Sequence, residues 1–366
     1  MAKLGELFEA QPKSKIKAGS GLEKGRYKFF NSSNIQTKFY ETAQYNGEAL
    51  IFGTGGNPSV HYCNGNFSTS TDCIVFFPTT DQINVKMVYQ YLSGNIRILE
   101  EGFKGAGIRH ISKSYIQDII IPNLPLSTQC EISINLDKVT HTIDLCNNIL
   151  EKLDLLVKAR FVEMFGDPVE NPLQWDTKSL ESACHSIVDC PHSTPSYTFE
   201  DTGYMCIRTS IVKKNAILWD KIEYIPKDEY EQRIKRRKPQ KGDIIYTREG
   251  AILGIAAIID RECNVALGQR SMLLSPDTEI CLPEFISNAM NFDSFFNRVT
   301  EGVSGSASPH INVADIRAFK IMMPPLDLQE QFAAFVEQTD KSKSAVKQVL
   351  EKAETLKKAL MQEYFG

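Results

Sequence analysis

Between residues 126 and 166, apolar side chains recur at alternating four- and three-residue steps: Ile132, Leu136, Val139, Ile143, Cys146, Leu150, Leu153 and Val157. A seven-residue period of this kind keeps one stripe of a helix against a second long helix. Thr128 with Glu131 has capping-box spacing at the start, and Gly166 ahead of Asp167-Pro168 supplies a stop. A helix of about 38 residues would run roughly 57 Å, far beyond the usual globular length. The end of the chain repeats the pattern less strictly. There Phe332, Val336, Val346, Leu350, Ala353 and Leu360 share a face that Thr339 and Lys343 interrupt, behind Asp327 and Glu330 at capping spacing. The two helices are expected to pair with each other. Ile149, Leu156, Phe161, Phe165, Phe335, Val349 and Leu356 are then left for a protein partner.

Elsewhere the apolar runs are short. "EALIFGTGG" (48–56) and "DIIYTREGA" (243–251) each follow a glycine and predict strands that enter polar loops. "DCIVFFP" and "SMLLSP" predict further strands, each closed by proline, and helices are expected over 85–93 and 283–299. The pattern therefore predicts a mixed, sheet-rich α/β fold. Its segments are a first globular domain (1–125), a central helix (126–166), a second globular domain (167–325) and a final helix (326–366).

The order is doubled. Shifted by 200 positions, residues 101–166 fall on 301–366 without a gap, and 19 of the 66 pairs are identical. Chance would supply about four at ordinary residue usage. Paired amphipathic helices alone would not explain the shared Glu101/Glu301, Gly102/Gly302, Gly105/Gly305 and His110/His310 upstream of them. Duplication does, and it predicts two modules with one plan and different loops.

Composition narrows the class. A chain of 366 residues, 42% apolar and 23% charged, exceeds one typical domain and can bury substantial cores. Nine cysteines without a C-x-x-C pair fit reduced thiols in a cytoplasm. No signal-peptide pattern opens the chain and no apolar run is long enough for a membrane helix, so a soluble cytoplasmic protein is expected. The formal charge of −4 does not advertise nucleic-acid binding, although local patches and not totals govern that.

The whole plan resembles the specificity subunit of type I restriction-modification systems. Carrying the resemblance are the P-L-x-x-Q helix starts (Pro125 to Gln129; Pro325 to Gln329) and the F-G-D-P helix exit (Phe165 to Pro168). The Gly242 to Gly250 turn, with Arg248, adds to it, whereas the corresponding "GTGG" of the first half (Gly53 to Gly56) lacks the arginine. The resemblance implies two target recognition domains, each reading half of a split sequence in double-stranded DNA. It implies antiparallel spacer helices that dock two methyltransferase subunits and, through them, restriction (motor-nuclease) subunits. No cofactor would belong to this chain, since S-adenosylmethionine, ATP and Mg would serve the partners. Related by a pseudo-two-fold axis, two such modules would face successive stretches of one groove.

Reading bases directly needs forked or hydroxyl donors at loop tips. The second module offers Arg208, Arg248, Gln269 and Arg270, and "RIKRRK" (233–238) adds Arg236 and Arg237 as a phosphate clamp, against the ordinary alternative of a solvated charged face. The first module offers Lys38, Thr54, Asn57, Ser68 and Thr69, and the repeated loops contribute Lys104, Arg109 and Ser306. His110 and His310 lack a nucleophile or acid nearby in sequence and suit structural hydrogen bonds. No catalytic constellation assembles. "GTGGNPS" has no Gly-Lys-Ser/Thr for a phosphate loop, and Cys184, His185, Cys190 and His192 match no common zinc spacing. A non-catalytic DNA-reading subunit is the expected function. The competing possibility is a duplicated protein-interaction scaffold that never binds DNA, which the negative net charge favours.

Overall fold

Strand Tyr45–Gly53 shows how the first half folds. Alternation along it sends Leu50 and Phe52 to one face and Ala49 and Ile51 to the other, and all four are buried. Such a strand must lie inside a sheet covered on both faces. In the computed structural model, which describes residues 1–105, 107, 109–301 and 309–366, it lies third in a six-stranded sheet. The order is Phe8–Ala10, Cys73–Pro78, Tyr45–Gly53, Ser59–Thr69, Tyr27–Phe30, Lys38–Tyr40, antiparallel except where Tyr27–Phe30 runs parallel to Ser59–Thr69. The sheet curls strongly. Gly47 faces Gly65 on the neighbouring strand, both at positive φ (132° and 110°), and the Cys73 thiol reaches the Phe30 carbonyl past two intervening strands (3.6 Å). Glycine is what permits that bend. Leu50, Phe52, Val60, Ile74 and Phe76 pack on helix Val85–Gly94, while Phe30, Ala49, Ile51, Phe67 and Val75 fill the concave side.

The two long helices are Leu126–Phe165 and Leu326–Phe365, 40 residues each. The chain divides into two compact units, one of Met1–Asn148 with Lys347–Gly366, the other of Ile149–Val346. Within the first unit the beginning of the first long helix meets the end of the second: Asn135 Nδ2 donates to the Tyr364 hydroxyl (3.1 Å), and Ile132 and Leu136 share a core with Leu360, Met361 and Phe365. Within the second unit the end of the first helix meets the beginning of the second, with Phe161 and Phe165 edge-on to Phe332 (5.4 and 5.5 Å). The pairing is antiparallel in each. Thr339 and Lys343, which break the apolar stripe, are accommodated differently. Thr339 donates back to its own helix at Phe335 O (2.9 Å), and Lys343 crosses to Asp154 (2.8 Å).

The second unit repeats the plan with an interruption. A four-stranded sheet runs Cys184–Asp189, Ser271–Pro276, Ile244–Thr247, Ala256–Ile258, and a separate three-stranded sheet runs Glu223–Tyr224, Met205–Ile207, Val265–Leu267. The parallel pair of the first unit reappears as Met205–Ile207 beside Val265–Leu267. The single strand Ser59–Thr69 corresponds to two, Ala256–Ile258 and Val265–Leu267, and the break splits one sheet into two. The expected class, mixed α/β with two modules and two long helices, is what the chain has.

The duplicated ends of the modules are tied by the same hydrogen bonds. Gln129 is fully buried, accepts from Asn84 N (2.8 Å) and donates to Leu124 O (2.7 Å). Gln329 is equally buried, accepts from Leu282 N (2.8 Å) and donates to Pro324 O (2.8 Å). Each glutamine joins the start of a long helix to the start of the short helix packed on its sheet. Gly166 closes the first long helix at φ 80°, a left-handed cap, where a Cβ would lie 2.6 Å from Pro172. Trp175 Nε1 takes the Phe165 carbonyl beside it (3.0 Å).

Candidate nucleic-acid interface

In the first unit the strand Tyr45–Gly53 runs into Thr54-Gly55-Gly56-Asn57. Thr54 donates from its amide and its hydroxyl to Asp72 O (2.8 and 3.0 Å), and its carbonyl receives Ile111 N (3.1 Å) and lies 3.0 Å from His110 Nδ1. Lys104 and His110 exchange backbone hydrogen bonds (3.0 Å each), folding the repeated loop across the turn. A Cβ on Gly55 would lie 3.1 Å from the His110 ring, a tight contact that a glycine avoids. His110 thus makes the structural hydrogen bond its sequence context suggested. Asn57, Lys104 and Arg109 are exposed around this clasp.

The second unit builds the same clasp from different residues. Ile311 N donates to Arg248 O (2.9 Å), Gly250 N donates to Pro309 O (3.0 Å), and Glu249 bridges His310. Arg248 therefore stands where Thr54 stands. The residue is 7% exposed and its guanidinium is committed to Asp189, with Nε to Oδ1 at 3.0 Å and Nη2 to Oδ2 at 3.4 Å. Beside it Arg270 occupies the left-handed region (φ 71°) and is exposed, and Gln269 is half-buried with its amide on Thr194 Oγ1 (3.1 Å). Exposed Arg208 lies over the Tyr197 ring (4.7 Å) and bonds both Glu223 oxygens (3.0 and 2.8 Å).

Several side chains that the sequence offered for DNA are interior instead. Thr54, Ser68 and Thr69 are buried. The Ser68 hydroxyl donates to Thr42 O (2.6 Å) and accepts from Gln44 N (3.0 Å), because this end of the curled sheet folds over its own strand. Lys38 is held by Glu23. The basic run 233–238 divides: Arg233 is buried on Glu229, Ser193 and Leu267, and Arg237 leans on Asp243 (3.4 Å), while Lys235, Arg236 and Lys238 are exposed. Arg236 touches the chain at Asp189 O (3.3 Å). Ser304 and Ser306 lie outside the described residues.

Among the residues kept for a partner, Phe161 and Phe165 are fully buried. Phe161 stacks on Phe285 (5.4 Å) and lies 5.0 Å from Phe292, so these rings are the core of their own unit. Ile149 and Phe335 are half-buried, and Leu156, Val349 and Leu356 are exposed. Leu156 and Phe335 line an open cavity of about 660 Å³ with Ala159, Arg160 and Glu163. No His, Cys, Asp or Glu cluster suited to a metal occurs among the described residues. His185 and His192 instead face Asp277 (3.3 Å) and Asp189 (3.1 Å), and burial pushes the Cys184 thiol up to about 12. Nor is any helix among the described residues long and apolar enough to cross a membrane.

The family model described as "Type I restriction modification DNA specificity domain" matches residues 1–155 and 172–355, well over half of the chain. The chain belongs to this family. It is 22% identical over 288 residues to the type I restriction enzyme EcoBI specificity subunit of Escherichia coli, covering 70% of this chain and 59% of that protein. It is 24% identical over 304 residues to the MjaVIII specificity subunit of Methanocaldococcus jannaschii, covering 77% and 70%. The chain thus falls short of two thirds of the Escherichia coli relative's length. Among solved structures, the S subunit of a type I restriction-modification system from M. genitalium shares the fold, with a TM-score of 0.70 at 14% identity over 100% of this chain and 95% of that one. In this specificity-family chain the sequence singled out Thr54, Arg248 and the two histidines of the clasps but not the aspartates that hold them. Asp189 and Asp72 hold the two turns, and only their place beside strand ends hinted at it.

Proposed function

We propose that the chain is the non-catalytic, DNA-reading subunit of a cytoplasmic type I restriction-modification complex. Each module (1–125 and 167–325) reads one half of an interrupted target in double-stranded DNA. The helical segments 126–166 and 326–366 set the gap and dock two methyltransferase subunits, which in turn recruit restriction subunits. S-adenosylmethionine, ATP and Mg act on those partners. One observation carries this reading: in both units the same strand end is bonded by the residues that follow the repeated loop (His110 and Ile111; Pro309 to Ile311), yet different side chains stand around it. A shared frame with unlike donors is what reading two unlike half-sites requires. Asn57, Lys104 and Arg109 in the first unit, and Arg208, Arg236, Gln269 and Arg270 in the second, are the reading and clamping groups that reach solvent. Thr54 and Arg248 act through the frame. Ile149, Leu156 and Phe335 in the second unit, and Val349 and Leu356 in the first, are the apolar positions left for partners.

The test is to map methylated adenines in DNA exposed to the chain together with its methyltransferase subunits. Two short half-sequences at one fixed gap are expected, and none from the chain alone. Methylation by the isolated chain, or retention of partner proteins without any salt-dependent hold on duplex DNA, would overturn the proposal and favour a protein scaffold.

A further inference from the structure

Lys13, Lys15, Lys17, Lys24, Arg26 and Lys28 crowd into sixteen residues, with Glu23 as the one acid among them. The stretch is strongly positive in a chain whose formal charge is −4. All six cations are exposed, and the one acid is already taken by Lys38. Two other lysines of this unit are paired instead: Lys3 with Asp118 (2.7 Å) and Lys86 with Asp137 (2.5 Å). A run of like charges is ordinarily a solvated and loosely held face. This one is fixed to the sheet at short intervals.

Gln11 N donates to Val75 O (2.8 Å), Pro12 O accepts from the Tyr45 hydroxyl (3.1 Å), and Ile16 O accepts from Thr71 N (2.8 Å). Ser14 is buried, and its hydroxyl receives Gln44 Nε2 (2.9 Å) and Ile16 N (3.1 Å). Ser14 and Ile16 turn inward while Lys13, Lys15 and Lys17 alternate outward. Further on, Leu22 and Phe39 exchange backbone bonds (2.9 and 2.8 Å), and Lys28 lies on strand Tyr27–Phe30. The track also abuts the reading turn. Thr71, bonded to Ile16, precedes Asp72, whose carbonyl holds the amide of Thr54. Holding unpaired cations in a fixed row costs self-repulsion, which a polyanion of matching linear charge relieves.

We propose that Lys13, Lys15 and Lys17, continued by Lys24, Arg26 and Lys28, form a track for the phosphodiester backbone of duplex DNA. The track holds the first module in register beside its reading turn and takes no part in choosing bases. The proposal rests on the DNA-reading function above. It differs from that function in placing most of the first module's affinity outside the loops that read sequence.

A sequence-independent contact can be tested on a random-sequence 40-base-pair duplex, by titrating binding of the full chain against salt. Log affinity falls linearly with log salt for the wild-type chain, and replacing Lys13, Lys15 and Lys17 by Gln lowers the slope by about 2.7, close to one per lysine. A control triple, Lys347, Lys352 and Lys358 to Gln, removes the same charge from exposed helix positions and is expected to keep the wild-type slope. Unchanged melting of both triples establishes that each folds. Salt-dependent wild-type binding with an unaltered slope in the first triple would sink the track and spare the DNA-reading function. Equal losses in the two triples would reduce the effect to net charge and sink it as well. Wild-type chain with no salt-dependent binding would overturn the function and the track together.

Discussion

The amide of Arg248 donates to the carbonyl of Arg270 (3.0 Å), so the two arginines sit at adjoining strand ends of one unit. Arg248 is interior and ion-paired to Asp189, whereas Arg270 is exposed in the left-handed region. Sequence treats them alike, since both are arginines in polar loops; what separates them is an aspartate 59 positions away, which no local pattern reveals. Arg248→Ala is expected to lower the unfolding free energy by about 3 kcal/mol, because Asp189 keeps a shielded charge without its partner. Arg270→Ala is expected to stay within about 0.5 kcal/mol of wild type while changing one half of the methylated motif only. Urea denaturation and motif mapping on the two variants check both outcomes. Asp293 gives a pH-dependent counterpart. Hydrogen bonds from Lys158 and Lys214 hold its carboxyl down to about 2, below its ordinary 3.8. A depressed carboxyl stabilises the fold above its unfolded value and stops doing so as pH falls through its folded value. The melting difference between wild type and Asp293→Asn is therefore expected to be constant from neutral pH to about 5, to shrink through the acid range and to vanish below about pH 2. A difference that persists below that pH would assign the effect to something other than the ion pairs.

Elements were legible where periodicity was strong. The seven-residue stripe marks both long helices and Gly166 marks the end of the first, because helix geometry repeats within a few residues. The expected capping pairs do not mark the starts, since the helices begin at Leu126 and Leu326 and Thr128 and Asp327 lie within the first turn. The same stripe did not tell which apolar positions stay outside it. Phe161 and Phe165 look spare on the first helix, yet they anchor the aromatic core with Phe285, Phe292 and Phe332. Only the arrival of helix Pro283–Met290, more than a hundred residues later, decides that. Phe161→Ala is expected to cost about 3–5 kcal/mol, read as a lowered midpoint of denaturation in the second unit. Leu156→Ala, on the exposed face, is expected to change stability by less than about 1 kcal/mol and to weaken capture of the methyltransferase subunit. The sheets were harder to foresee. Strand Ser59–Thr69 and its split counterpart differ through non-local pairing, which short apolar runs do not encode.

At the scale of the whole molecule, duplication was visible in the sequence through the 200-residue shift, and the structure extends it beyond the identical positions. The identical Gln129 and Gln329 make matching buried hydrogen bonds, and beyond the identities Thr54 and Arg248 occupy matching turns without any likeness between their side chains. Matching frames with divergent tips explain why fold and family emerged from the chain while individual contacts did not: a frame is fixed by repeated backbone hydrogen bonds, a tip by a few distant partners. Each long helix runs unbroken through 40 residues, about 60 Å at the helical rise. Under the proposed function that length spaces the two half-sites. Four residues, about one turn or 5.4 Å, inserted into both helices would test it. Mapping methylated adenines for that variant is expected to return the same two half-sequences with a gap wider by about one to two base pairs. Unaltered spacing, or altered half-sequences, would contradict it.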